Sequence, residues 1–193
     1  MVQLHLTFLQ FLSDKKALHS EAHLCEYGAG VAPFMTTLLK NIRIEDKDFL
    51  NLTITIVDVD CEHLNFAKYR LNRIKEEKGL NGVTLDFKIV TPDTLPKFSK
   101  PLDALFCFEV LEHVPSPVNV INNIKNNMKA GGFYIENFIK HDATDDDDGP
   151  DLLSARNERE EYYNILDKFY NLLYPTPEES IENPSVTRIW QRN

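Results

Sequence analysis

The sequence contains few cysteines and no long apolar run. Its three cysteines, Cys25, Cys61 and Cys107, lie far apart among 193 residues, in or beside apolar stretches. The paired spacings of a disulfide framework or a zinc site are absent, so we expect free thiols in a reducing cytoplasm and no bound metal. No run approaches the ~20 apolar residues of a membrane-spanning helix. Residues 1–12 lack the basic leader and cleavage site of a secretory signal. These absences predict a cytoplasmic protein with no membrane association.

The sequence also lacks an excess of basic residues. Its net charge is −9, with 13 acids and 5 Lys or Arg in residues 141–193, against 17 acids and 16 Lys or Arg in residues 1–140. A nucleic-acid-binding protein needs clustered positive charge, so we expect a small-molecule ligand and no nucleic-acid partner. Four consecutive aspartates fall within residues 142–151, which we predict to be an acidic mobile loop because like charges repel. The sequence is compatible with a monomer or a homodimer.

Helical and strand patterns alternate along the chain. Apolar spacing predicts an N-terminal helix within residues 1–20. Strands are predicted over residues 24–27, 52–57, 83–90, 102–108, 133–139 and 186–190, and helices over residues 33–40, 61–78, 117–129 and 152–174. Asp60 and Ser116 are the expected caps of two of these helices, Gly131 and Gly132 stop another, and no well-marked sixth strand precedes the last one. The alternation predicts one α/β domain over residues 1–193, a doubly wound, mostly parallel sheet with helices on both faces and a C-terminal antiparallel edge strand.

A glycine turn follows the first predicted strand. Gly28 and Gly30 carry no Cβ, so the backbone can turn sharply there and approach a ligand closely. A dinucleotide-binding turn would have a third glycine where Pro33 stands, and it would hold a pyrophosphate. Glu26 would place a negative charge near that pyrophosphate, whereas it suits a ligand with a positive ammonium group. S-adenosylmethionine has such an amine and no phosphate, so it is favoured over NAD, although an NAD-dependent oxidoreductase stays an alternative.

Further polar residues follow the other predicted strands. They are Asp58, Asp93, the segment 109–113 and His141. The carboxyl ends of parallel strands lie at one edge of a sheet, where ligands bind, so we expect these residues to lie together. A carboxylate at Asp58 can accept both hydroxyls of a ribose, although it could instead cap the next helix. His113 could likewise be an ordinary loop histidine.

These residues resemble the class I S-adenosylmethionine-dependent methyltransferases, in particular small-molecule members of the type 11/12 kind. The resemblance covers about residues 22–140. It rests on four segments, of which the third is the most specific and resembles members of quinone biosynthesis: residues 24–30, 55–60, 103–117 and 130–135. The family's fold is Rossmann-like, which agrees with the predicted sheet.

The resemblance implies a cofactor, S-adenosylmethionine, and a set of residues that bind it. Asp58 takes the ribose-binding place. Ala32 stands where the family's first motif has its third glycine. Thr91 stands where an acid commonly contacts adenine, so Asp93 is the expected substitute. The full set of implied cofactor-binding residues is Glu26, Gly28, Gly30, Asp58, Val59, Asp93 and Glu109.

The expected reaction is methyl transfer to an oxygen or nitrogen of a small molecule. His113 is the best candidate for a base because histidine titrates near neutrality, and His141 is the second. Glu109 and Glu112 could instead bind a metal with His113, but the second histidine of the RNA-end methyltransferases that have such a site is Val114 here. A third interpretation is a non-catalytic member that keeps the fold to bind a partner.

Overall fold

A seven-stranded sheet forms the centre of the computed structural model, which describes residues 2–42, 51–138, 151–175 and 187–193. The strands and helices alternate as the sequence predicts. In chain order the elements are α1 (Val2–Asp14), β1 (His23–Tyr27), α2 (Pro33–Asn41), β2 (Thr53–Asp58), α3 (Glu62–Glu77), β3 (Thr84–Ile89), β4 (Leu102–Phe108), a 3-10 turn (Leu111–His113), α4 (Pro117–Asn127), β5 (Met128–Asn137), α5 (Leu153–Phe169), β6 (Tyr170–Tyr174) and β7 (Arg188–Arg192).

The strand order in the sheet is β3-β2-β1-β4-β5-β7-β6. The first five strands are parallel, and β7 runs antiparallel to both β5 and β6. The chain reverses its direction along the sheet between β1 and β4, which is where ligands bind in open sheets of this kind. The predicted Rossmann-like α/β fold is therefore confirmed.

Two apolar cores lie on opposite faces of the sheet. Alternate residues of a strand point to opposite faces, and Leu24 belongs to one core while Cys25 belongs to the other. The first core holds side chains of α1, α2 and α3, and the second holds side chains of α4 and α5. The central strands are buried on both faces, as expected of parallel strands covered by helices. The cores hold the strand ends of β1, β2 and β4 in fixed positions.

The C-terminal part of the sheet differs from the prediction. The helix predicted to reach residue 174 ends at Phe169, and Tyr170–Tyr174 forms β6, the strand that we expected to be missing. Tyr170, Leu172 and Tyr174 fit both a helical and an alternating pattern, so a short run could not separate the two. Because β6 takes the edge, β7 is antiparallel as predicted but lies between β5 and β6.

Smaller differences concern helix ends. The α4 helix ends at Asn127, and β5 begins at Met128 and includes both glycines that were expected to stop the helix. Asp60 does not cap α3, whose N-cap is Cys61 with no side-chain hydrogen bond. Ser116 does cap α4, since its Oγ accepts a hydrogen bond from the Asn119 N–H at 3.4 Å.

Three further predictions concern the cysteines, the acidic loop and membrane-spanning helices. The cysteines are free, with Cys25 and Cys107 buried and Cys61 half-buried. Most of the predicted acidic loop lies outside the described residues, but its last residue, Asp151, is buried and forms an ion pair with Arg159 at 3.4 Å. In the described ranges, no helix combines the length and the apolar character that a bilayer crossing requires.

Candidate active site

Three residues with left-handed backbone follow β1. Gly28 has φ +63°, Gly30 has φ +50° and Ala32 has φ +49°. Glycine adopts this conformation freely, whereas a residue with a Cβ is strained there. The residue immediately before α2 has a left-handed backbone, which explains why the family that the sequence resembles has glycine there. This chain adopts the same turn with Ala32.

Gly28 is in close contact with the loop after β4. A Cβ on Gly28 would lie 2.2 Å from Cγ2 of Val110, so only glycine fits. Gly30 has no atom within 4 Å of the place where its Cβ would be. The glycine turn is therefore closed by Val110 at Gly28 and has open space in front of Gly30.

Glu26 connects β1 to the start of α2. Its Oε1 accepts a hydrogen bond from the Phe34 N–H at 3.1 Å, and its Oε2 accepts one from the Met35 N–H at 2.9 Å. Burial raises the pKa of Glu26 to about 7, and these two hydrogen bonds offset part of the rise. The carboxyl group therefore satisfies helix amides that would otherwise lack partners. It also lines a cavity, so its predicted contact with a ligand stays a prediction.

Asp58 connects the end of β2 to the glycine turn. Its Oδ2 accepts a hydrogen bond from the Gly30 N–H at 2.5 Å, and its Oδ1 accepts one from the Val59 N–H at 2.7 Å. The two bonds fix the carboxylate at the sheet edge. A carboxylate has about four acceptor sites, so Asp58 keeps capacity for the hydroxyls of a ligand.

The Asp58 cavity, which we define by Asp58, Val59 and the turn 91–94, has a volume of about 500 Å³. This volume lies within the ~300–1,000 Å³ of small-molecule sites. The turn closes with the Thr91 N–H donating to Thr94 Oγ1 at 2.8 Å, and it places Asp93 on the cavity wall. Val59 is an exposed apolar residue on the same wall. The cavity therefore combines a carboxylate at each end with an apolar side chain.

The Glu109 cavity, which we define by Glu26, Glu109 and Asn137, has a volume of about 230 Å³. Glu109 has φ +54°, which is unusual for a residue with a side chain, and its N–H donates to Asn137 Oδ1 at 2.7 Å. Such strained residues cluster at functional sites. The exposed Glu109 carboxylate forms no hydrogen bond or ion pair with any described residue, so it can bind a ligand cation. Tyr27 and Gly28 line both cavities, which therefore meet at the glycine turn.

One candidate base, His113, is not among the residues that line the Glu109 cavity. His113 is exposed in the 3-10 turn and lines the Asp58 cavity. His141 lies outside the described residues, so its predicted role is untested. In the described part of the chain, no cluster of three or more His, Cys, Asp or Glu side chains could hold a metal ion.

Sequence reasoning missed three residues of the site. Val110 packs on Gly28, Asn137 holds the Glu109 backbone, and His5 lines the Glu109 cavity from α1. Asn137 ends a strand, which is a signal that could have found it. His5 stands on the buried face of α1, three residues before Phe8 and seven before Leu12. A histidine on such an apolar face was the available signal.

The fold and the site define a class I methyltransferase domain. Residues 25–134, more than half of the chain, match a family model described as a methyltransferase domain. The chain belongs to this family. The matched segment begins in β1 and ends in β5, so it contains the glycine turn, Asp58 and Glu109.

Curated relatives share a part of the chain. An "Ubiquinone biosynthesis O-methyltransferase" of Xylella fastidiosa (strain M23) is 36% identical over 80 residues, which are 41% of this chain and 30% of that protein. The corresponding protein of Actinobacillus pleuropneumoniae serotype 5b (strain L20) is 29% identical over 85 residues, 42% of this chain and 33% of the relative. The match thus spans about a third of the length of these curated relatives.

Solved structures show the same fold. An S-adenosylmethionine-dependent methyltransferase from Clostridium acetobutylicum matches with a TM-score of 0.63 at 12% identity, covering 98% of this chain and 90% of that chain. An rRNA methylase from Streptococcus thermophilus matches with a TM-score of 0.58 at 13% identity, covering 92% and 90%. At these identities the comparison establishes the architecture alone.

Proposed function

We propose that the chain is an S-adenosylmethionine-dependent methyltransferase that acts on an oxygen or nitrogen of a small molecule. The observation that carries the proposal is the pair of cavities that meet at Gly28, with Asp58 in one and, in the other, the Glu109 carboxylate, which has no partner among the described residues. The name of the curated relatives, an O-methyltransferase, favours a hydroxyl as the acceptor.

The residues present fit this methyl donor. In this proposal Asp58 would accept the ribose hydroxyls, the exposed side chain of Val59 would contact the adenine face and Asp93 the adenine edge. Glu109 would bind the ammonium of the methionine end, and the open space in front of Gly30 leaves room at the turn. A dinucleotide fits less well, because Glu26 and Glu109 line the cavity at the glycine turn and negative charge there would repel its phosphates.

The described walls of both cavities contain no Lys or Arg. A phosphorylated or carboxylated acceptor would lack a cation there, so an uncharged or cationic acceptor is favoured. This argues for a small phenol, alcohol or amine and against RNA, which the net charge of −9 also disfavours.

The bound donor would supply an electrophilic methyl group attached to a positively charged sulfur. What the chain contributes is alignment and exclusion of water, which account for a large share of the rate in a displacement of this kind. Glu109, fixed through its backbone by Asn137, and Asp58, fixed by two backbone amides, would hold the two ends of the donor.

Calorimetry with S-adenosylhomocysteine tests the proposal. We expect binding to the wild type and at least about tenfold weaker binding to Asp58→Asn, a loss of about 1.4 kcal/mol. Asp60→Asn is the matched control, because Asp60 is an exposed acid two residues away that lines neither cavity. No binding by the wild type, or binding of NAD in its place, would contradict the proposal. Transfer of a labelled methyl group to catechol then separates an enzyme from a non-catalytic member, which would bind the donor without turnover.

A further inference from the structure

His5 is the only histidine among the described residues that line the Glu109 cavity. It lies in the first turns of α1, and 6% of its surface is exposed. Its ring packs edge-on against Phe34 of α2, with ring centroids 5.5 Å apart. A buried imidazole that lines a candidate ligand cavity is a candidate for proton transfer.

The hydrogen bonds around His5 determine which of its nitrogens carries the proton. The Thr37 hydroxyl donates its one hydrogen to the carbonyl oxygen of Pro33, at 3.0 Å. Thr37 Oγ1 lies 3.2 Å from Nδ1 of His5, and its bond to Pro33 assigns it the role of acceptor in this contact. Nδ1 therefore carries the hydrogen, and a neutral His5 has its lone pair on Nε2. Nε2 has no hydrogen-bond partner within the described part of the chain.

The surroundings keep His5 neutral at rest. Burial lowers the pKa of His5, so the neutral imidazole prevails at pH 7. The titratable side chains that share the cavity with His5 are Glu26, Tyr27 and Glu109. A neutral imidazole with a lone pair on Nε2 is the form that acts as a general base.

We propose that Nε2 of His5 takes the proton of the acceptor hydroxyl during methyl transfer, an inference that rests on the proposed function. The acceptor oxygen forms a bond to the methyl carbon while the bond from that carbon to sulfur breaks, and the bonding pair stays on sulfur, which becomes a neutral thioether. The hydroxyl proton moves to Nε2, and His5 becomes an imidazolium. His113, our first candidate, lines the Asp58 cavity instead.

The first test needs no acceptor. Nitrogen-15 NMR of the protein without ligand reports the tautomer and the titration of each histidine. We expect His5 to carry its hydrogen on Nδ1 and to titrate below the ordinary histidine range. Thr37→Val removes the acceptor of that hydrogen, so it should shift His5 toward the other tautomer. A His5 that carries its hydrogen on Nε2, or that is charged at pH 7, would overturn the inference even if the donor binds.

The second test separates chemistry from donor binding. With catechol as the acceptor, His5→Gln should lower kcat by about 100-fold or more and abolish the acid limb of the pH profile. Its affinity for S-adenosylhomocysteine should stay that of the wild type. His63→Gln is the control, because His63 is exposed on α3 and lines neither cavity. Unchanged kcat in His5→Gln refutes the role of His5 and leaves the proposed function standing, whereas a wild type without donor binding refutes the proposed function itself.

Discussion

Glu26 is a carboxylic acid in an apolar environment, and its burial links the protein's stability to pH. Its folded-state pKa of about 7 lies above the pKa of 4.5 that a glutamate has in the unfolded chain. Between these two values the folded state binds a proton that the unfolded state releases. The contribution of Glu26 to the free energy of unfolding is therefore full below pH 4.5 and is lost as the pH rises through 7.

We expect Glu26→Gln to change the pH dependence of stability. A glutamine stays neutral, so the stability of the variant relative to the wild type should rise between pH 4.5 and 7.5, by up to about 3 kcal/mol for a shift of this size. Urea unfolding at a series of pH values measures it. Glu76→Gln, at an exposed position on α3, is the control and should run parallel to the wild type. Parallel curves for Glu26→Gln would contradict the assigned pKa.

At the scale of elements, α5 supports the loop that forms one wall of the Asp58 cavity. Glu158 of α5 accepts hydrogen bonds from Ser116 Oγ and from the Val118 N–H, both at 3.0 Å. The two donors belong to the first turn of α4, where a negative charge also interacts favourably with the helix dipole. Ser116 lines the Asp58 cavity, so a contact between two helices on the far face of the sheet helps to shape the candidate donor site.

Glu158→Ala should therefore weaken both stability and donor binding. The lost cap costs about 1 kcal/mol of unfolding free energy, and a looser loop lowers the affinity for S-adenosylhomocysteine. Urea unfolding and calorimetry measure the two effects. Glu160→Ala lies exposed on the same helix and provides the comparison. Equal affinities of the two variants would show that α5 does not shape the site.

Most elements could be predicted from the sequence because each has one clear apolar pattern. The prediction failed where a stretch fits two patterns. Buried parallel strands such as β4 are continuous apolar runs, and their ends are marked by Glu109 or Asp58. The stretch that begins at Tyr170 fits both a helical and a strand periodicity. Its pairing with β7, which the local pattern does not show, makes it a strand. His5 was missed because its partner Thr37 is 32 residues away in sequence, and a hydrogen bond of this range leaves no local pattern.

At the scale of the whole molecule, the negative net charge argues against RNA as a partner, although one of the solved structures with the same fold is an rRNA methylase. The net charge is −9, and the described walls of the two cavities carry no Lys or Arg. A protein that contacts phosphates does so with basic residues, and its affinity falls steeply with salt. The shared architecture with an rRNA methylase therefore does not predict a shared partner.

We expect no binding to a fluorescein-labelled RNA hairpin at physiological salt, as measured by anisotropy. Any weak signal at low salt should vanish as salt is added, because the protein offers few cations to the phosphates. Tight binding that persists at physiological salt would contradict a small-molecule acceptor.

The division of the site at Gly28 has a consequence for how such a protein can diversify. The Asp58 cavity is built from the middle of the chain, inside the segment that the family model covers, whereas Leu4, His5 and Thr187 reach the Glu109 cavity from outside it. Substitutions near the two chain ends can thus alter the Glu109 cavity while the Asp58 cavity keeps its form. If related proteins kept the donor while the acceptor changed, sequence similarity would stay detectable in the central segment and would be lost near both chain ends. The family match of this chain has this extent, since it covers residues 25–134.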